Sequence, residues 1–148
     1  MEEAILSHTN RERLLRGLTP LAKSSALNFV AREHAKNMCA ADCFQHESEE
    51  FPAGWRRFGE RLQAAGVSSG GENIAYRTIE GTPDAWGKAV VSGWMESPRH
   101  KKNVLNPGYR YLGIGVDGCN NRIGYATQIF SSEPGRDSAP PSRSVKDQ

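Results

Sequence analysis

Leu112-Gly113-Ile114-Gly115-Val116 and Ile123-Gly124-Tyr125-Ala126-Thr127-Gln128-Ile129-Phe130, separated by Asp117-Gly118-Cys119-Asn120-Asn121, form the stretch from which the architecture is read. In the first run Leu112, Ile114 and Val116 alternate with glycines. In the second, Ile123, Tyr125, Thr127 and Ile129 alternate with Gly124, Ala126, Gln128 and Phe130. A period of two puts successive side chains on opposite faces of a strand. The Gly- and Asn-rich connection between the runs closes them into a β-hairpin.

The chain before the hairpin reads mainly as helix. An amphipathic segment from about Glu2 to Arg16 ends at Gly17, and Thr19-Pro20 redirects the backbone. Ser24 or Ser25 caps a second helix whose stripe is Leu27, Val30, Ala31, His34, Ala35 and Met38. His34 on that stripe reads as a packed core histidine. After Phe44-Gln45-His46, a short helix through Leu62 and Ala65 stops at Gly66, and Gly70-Gly71 delivers Glu72 to Tyr76 as a strand or ordered loop. Thr82-Pro83-Asp84 starts a further helix with Trp86, Val90 and Trp94 on its core face, where Ala89 and Gly93 allow close packing. Ser97-Pro98 ends it, and a turn through His100 to Leu105 stops at Asn106-Pro107-Gly108. Trp55 beside Arg56 and Arg57 reads as packing over the first helices. Residues 1–131 are expected to form one domain and residues 132–148, with Pro134, Gly135, Pro140 and Pro141 among serines and charges, a disordered tail.

Composition narrows the function classes. The chain has 148 residues, of which 37% are hydrophobic and 24% charged, the balance of an ordinary water-soluble domain. No apolar run approaches the roughly 18 residues of a membrane span. A formal net charge of +2 does not point to nucleic acid. The densest basic run, Arg99-His100-Lys101-Lys102, reads as a solvated helix face rather than a phosphate or lipid-headgroup site. Met1-Glu2-Glu3-Ala4-Ile5-Leu6 lacks the features of a secretory signal. Cys39, Cys43 and Cys119 allow one disulfide with three possible pairings, and Cys39 and Cys43, one helical turn apart, read as small buried hydrophobes rather than metal ligands.

Taken in order, nine segments resemble the CAP superfamily, that of cysteine-rich secretory proteins, antigen five and pathogenesis-related proteins, in its bacterial-type branch with the SCP domain. They are Asn10-Arg11-Glu12-Arg13 with Gly17-Leu18-Thr19-Pro20-Leu21, Ala31 through His34-Ala35 to Met38, Phe44-Gln45-His46, Gly71-Glu72-Asn73-Ile74-Ala75, Trp94-Met95-Glu96-Ser97-Pro98-Arg99-His100, Asn103-Val104-Leu105-Asn106-Pro107, Tyr109, Gly113-Ile114-Gly115-Val116, and Tyr125-Ala126-Thr127-Gln128-Ile129-Phe130. The resemblance implies an α/β fold of three layers, an α-β-α sandwich with a small antiparallel sheet between helices and a central cleft. It places His46, Glu72 and His100 in that cleft, with Arg99 in place of the glycine of the bacterial Ser-Pro-Gly-His pattern. Two departures follow. Tyr125 occupies the position of a eukaryotic cleft histidine. The second eukaryotic acid falls at Ser97, while Glu96 is one residue early and about 100° around the helix.

The resemblance further implies that His46, His100 and Glu72 could hold zinc, which prefers imidazole and carboxylate donors. Read by itself, Glu72 could instead accept hydrogen bonds from loop N–H groups. The first functional expectation is a module binding a small amphipathic ligand, lipid or sterol, or a divalent metal. The second is a protein-interaction or defence-related module, and the third a zinc-dependent hydrolase with Glu72 as general base. Binding ranks above catalysis because no activated nucleophile or oxyanion-stabilising group is assignable. A monomer, secreted or extracellular by resemblance, is expected.

Overall fold

The alternation of the hairpin is retained in three dimensions, in a computed structural model that describes residues 1–136. β3 (Tyr111–Asp117) pairs antiparallel with β4 (Ile123–Ser131), Leu112 lying opposite Phe130. β4 pairs antiparallel on its other edge with β2 (Gly71–Thr78), Glu72 lying opposite Ile129. A two-residue strand, β1 (Ala22–Lys23), runs parallel to β3 and completes the order β1-β3-β4-β2. The sheet is therefore antiparallel except at this edge, where Ala22 and Ser24 donate backbone N–H bonds to Arg110 and Leu112.

Helices cover both faces. α2 (Ser25–Ala41) and α3 (Phe58–Ala65) lie on one, and α1 (Glu2–Leu14), α4 (Pro83–Met95) and α5 (Pro98–Val104) on the other. Capping fixes where they begin: Ser24 Oγ accepts from Leu27 N at 3.1 Å and Thr82 Oγ1 from Ala85 N at 3.0 Å. The period-two pattern decides the packing. Leu112, Ile114, Ala126 and Phe130 join Trp86, Val90 and Trp94 in one core, whereas Ile129 joins Leu27, Val30 and Ala31 in another. The glycines of β3 mark a close approach between strand and helix. A Cβ on Gly113 would collide with the Leu27 backbone, and one on Gly115 with the backbone of Ala31 and Arg32, so α2 rests directly on the strand.

Two expectations about the chain are revised. Residues 132–136 are not a loose tail: Pro134 O accepts from Ser24 Oγ at 2.7 Å, and Arg136 donates to the carbonyls of Gln63, Ala64 and Ala65. Those carbonyls end α3; Gln63 O already accepts from Gly66 N at 3.0 Å, and Arg136 adds donors to it and to the carbonyls of Ala64 and Ala65. The rest of the expected tail, residues 137–148, lies outside the described residues. Cys39 is not a free buried thiol but is disulfide-bonded to Cys119, tying the end of α2 to the β3 to β4 turn, while Cys43 is free and half-buried. By chain entropy, closing a loop of 80 residues is worth about 4–5 kcal/mol. Among the described residues no helix is long and apolar enough to cross a membrane.

His34 is a core histidine, as its place on the stripe indicates. It is fully buried, its Nε2 donates to Gln45 O at 3.0 Å, its Nδ1 has no partner among the described residues, and Phe51 meets it edge-on. Burial pushes its pKa down to about 4, opposed by the Glu72 carboxylate and the Gln45 carbonyl and reinforced by Arg61 and His46. The unfolded imidazole takes up its proton near pH 6.5. The native state binds fewer protons below that pH, so its stability is fully present above about 6.5 and declines as pH falls toward 4, by about 3 kcal/mol in all. Urea unfolding over this range should show that decline in the wild type and a shallower one in His34→Gln.

Candidate functional site

The site starts from a cation in an apolar stripe. On α3, Phe58, Arg61, Leu62 and Ala65 follow the i, i+3, i+4, i+7 spacing of a core-facing row. Arg61 is accordingly fully buried. A buried guanidinium needs a counter-charge, and Glu72, at the start of β2, supplies it. Arg61 Nε donates to Glu72 Oε2 at 3.0 Å and Nη2 to Oε1 at 2.8 Å, a two-pronged pair. Two of the remaining three donors reach Trp55 O at 3.3 Å and His46 O at 2.7 Å. Arg61 thereby holds both the carboxylate and the loop that carries His46.

His46 completes the cluster. Its Nδ1 donates to Glu72 Oε1 at 2.8 Å, and about half of its side chain is exposed. Burial pushes the Glu72 carboxyl up, but the His46 hydrogen bond and the Arg61 charge outweigh it and leave the group below the ordinary carboxylate range. Glu72 is thus an ionised acceptor, and with Nδ1 committed to it, His46 Nε2 is the nitrogen left for a ligand.

A buried polar chain locates α5 and His100. Thr9 Oγ1 accepts from Gln128 Nε2 at 3.0 Å, Gln128 Oε1 from Asn73 Nδ2 at 2.9 Å, and Asn73 Oδ1 from Asn103 Nδ2 at 2.9 Å. Asn73 also donates to His100 O at 3.1 Å. Arg13, buried on α1, donates to Val104 O and Asn106 O and pins the far end of α5. Burial lowers the His100 pKa, with the His46 and Arg99 charges acting in the same direction.

These elements enclose a polar cleft of about 540 Å³ lined by His46, Glu72 and His100, together with Ser97, Arg99, Lys102, Asn103, Asn106 and Tyr109. Beside it lies an apolar groove of about 300 Å³ whose walls include Phe44, Ile74, Tyr76, Val90 and Trp94. Ser97 and His100 line both. Gly93 also lines the groove, where a Cβ would meet only open space, so it leaves room for a ligand rather than for a neighbouring helix.

Of the residues singled out in the sequence, His46, Glu72 and His100 come together. Glu96 is exposed at the end of α4 and lines neither cavity. Tyr125 also lines neither: the strand period turns it to the α2 face, where it packs with Met38, Phe51 and Ile74 and stacks on Tyr76 at 5.9 Å. Arg61 was missed although its place in the α3 stripe was the available signal. As for zinc, both Glu72 oxygens are already engaged, and among the described residues no three His, Cys, Asp or Glu side chains converge as a metal-holding group. The arrangement offers instead two imidazoles facing one cleft, with a carboxylate behind one of them.

The family model for the cysteine-rich secretory protein family, CAP, matches residues 6–130. The chain belongs to the CAP family. Its CAP domain is 35% identical over 118 residues to an uncharacterized membrane protein, YlbC, of Bacillus subtilis, covering 78% of this chain and 31% of that one. It is 33% identical over 116 residues to an uncharacterized protein, YkwD, of the same organism, covering 77% and 41%. Among solved structures it is similar to an extracellular SCP-domain protein of Bacillus anthracis, with 32% identity and a TM-score of 0.74 over 89% of this chain and 40% of that chain. The chain therefore spans less than half the length of these relatives.

The Arg61 and Glu72 pair makes a stability prediction. Arg61→Met leaves a buried carboxylate with the His46 hydrogen bond alone and should lower the unfolding free energy by about 3 kcal/mol, whereas Arg61→Met with Glu72→Leu should recover most of the loss. Denaturant unfolding of both variants checks it.

Proposed function

We propose that this CAP domain is a binding module for a small amphipathic molecule, whose polar end occupies the cleft and whose apolar part lies in the groove. The observation that carries this reading is the junction of the two cavities at Ser97 and His100. A single extended ligand reaching through that junction meets hydrogen-bonding groups at one end and aromatic walls at the other, the usual composition of a small-molecule site. The exposed aromatics support it. Phe44 and Tyr76 are 38% and 54% exposed and meet edge-on at 4.7 Å, forming apolar surface that a ligand would cover. The Cys39 to Cys119 disulfide supports a place outside the cytoplasm, in an oxidising compartment.

Catalysis is less well supported by the same geometry. A general base works best with a pKa near the working pH, and Glu72 is held below the ordinary carboxylate range with both oxygens occupied. A second reading, a divalent metal held by His46 and His100, is favoured by the bond from His46 Nδ1 to Glu72, since a carboxylate behind an imidazole orients it as a ligand.

Blocking the groove separates these readings. Gly93→Leu places a side chain in the groove and improves helix propensity, so the fold should keep its stability. Calorimetry with dodecyl maltoside below its micelle concentration should show binding to the wild type and none to Gly93→Leu. Equal binding by both would contradict the amphipath reading. Zinc binding retained by Gly93→Leu and lost in His46→Ala with His100→Ala would favour the metal reading.

A further inference from the structure

The basic run of α5 does not spread evenly into solvent. Arg99, His100, Lys102 and Asn103 line the polar cleft. Arg99, Lys102 and Asn103 occupy i, i+3 and i+4 positions, one face of the helix.

Charge balance in the cleft is one-sided. Its lining contains one carboxylate, Glu72, and the buried Arg61 already neutralises that group from behind. Among the described residues neither Arg99 nor Lys102 takes part in an ion pair. Two fixed positive charges and two imidazoles thus face a cavity with no unmatched negative charge. The Tyr109 hydroxyl adds a neutral donor: burial raises its pKa, and its ring is held by stacking on Phe130 at 5.3 Å.

We propose that the polar cleft binds an anionic group, a phosphate ester being the form that uses two fixed cations together with neutral donors. The proposal rests on the ligand-binding reading above and assigns its head group. The same chemistry is offered by a free phosphate compound and by an amphiphile with a phosphate head, and the cleft and groove together favour the amphiphile.

The test titrates inorganic phosphate, dodecyl phosphate and the uncharged dodecyl maltoside, each below any micelle concentration, into wild type and into Arg99→Gln with Lys102→Gln. Calorimetry gives affinities and histidine NMR shifts locate the contact. Both substitutions lie on exposed side chains, so the thermal midpoint should not move. Dodecyl phosphate should bind the wild type at least about tenfold more tightly than dodecyl maltoside, shift the His46 and His100 signals, and lose that advantage in the double variant and at high salt. Binding of inorganic phosphate with the same shifts, with neither dodecyl compound bound, would keep the anion site and overturn the amphipath reading. Equal affinity for the two dodecyl compounds, unchanged in the variant, would overturn the anion site and keep the amphipath reading. No binding of any of the three would overturn both.

Discussion

The buried pair between Arg61 and Glu72 is the constraint on which the cleft depends. A guanidinium enclosed by α3 and the sheet is tolerable only if its charge is balanced and most of its donors are met, and here Glu72 balances the charge while Glu72 and the His46 and Trp55 carbonyls accept four of its five N–H groups. The partners lie on two separate parts of the chain, His46 and Trp55 between α2 and α3 and Glu72 on β2. The pair consequently fixes the irregular segment between α2 and α3 against the start of β2. Glu72 then presents its remaining acceptor capacity to His46 Nδ1, so the orientation of an exposed imidazole is set by an interaction that is itself out of reach of water.

The opposite wall is built by different means. α5 is only seven residues long and buries only Val104, so propensity and packing contribute little to its placement. Its position comes from hydrogen bonds that cross the sheet, running from Thr9 through Gln128 and Asn73 to Asn103, and from Arg13 holding the carbonyls at its end. Networks of this kind are stable only when every buried member is satisfied, which makes them demanding of sequence and geometrically definite. One wall anchored by an ion pair and the other by an amide network leave a cleft whose floor is polar and whose rim carries cations.

Local patterns in the sequence disclosed most of the scaffold. The hairpin alternation, the α2 stripe, the Ser24 and Thr82 caps and the Gly66 stop are short-range signals, and the structure follows each of them. The glycines of β3 were legible as alternation but not as the docking surface of α2, because close approach is a property of two elements. In the site, the resemblance brought His46, Glu72 and His100 to one place. It also suggested Tyr125, which the period of β4 turns to the other face. Arg61 stood on an apolar stripe, where a charged residue signals a buried partner, yet the partner's identity required the fold. Asn73, Asn103 and Gln128 gave no local signal at all, since their meaning lies in contacts between positions dozens of residues apart.

The central claim, that the buried pair sets the presentation of His46 in the cleft, is tested most directly by the tautomer of that imidazole. Nitrogen NMR shifts of His46 at mildly alkaline pH distinguish the two ring nitrogens. The account predicts that Nδ1 carries the proton, donated to Glu72, that Nε2 is bare, and that Glu72→Gln abolishes this preference. A proton on Nε2 in the wild type, or a tautomer indifferent to Glu72→Gln, would contradict it.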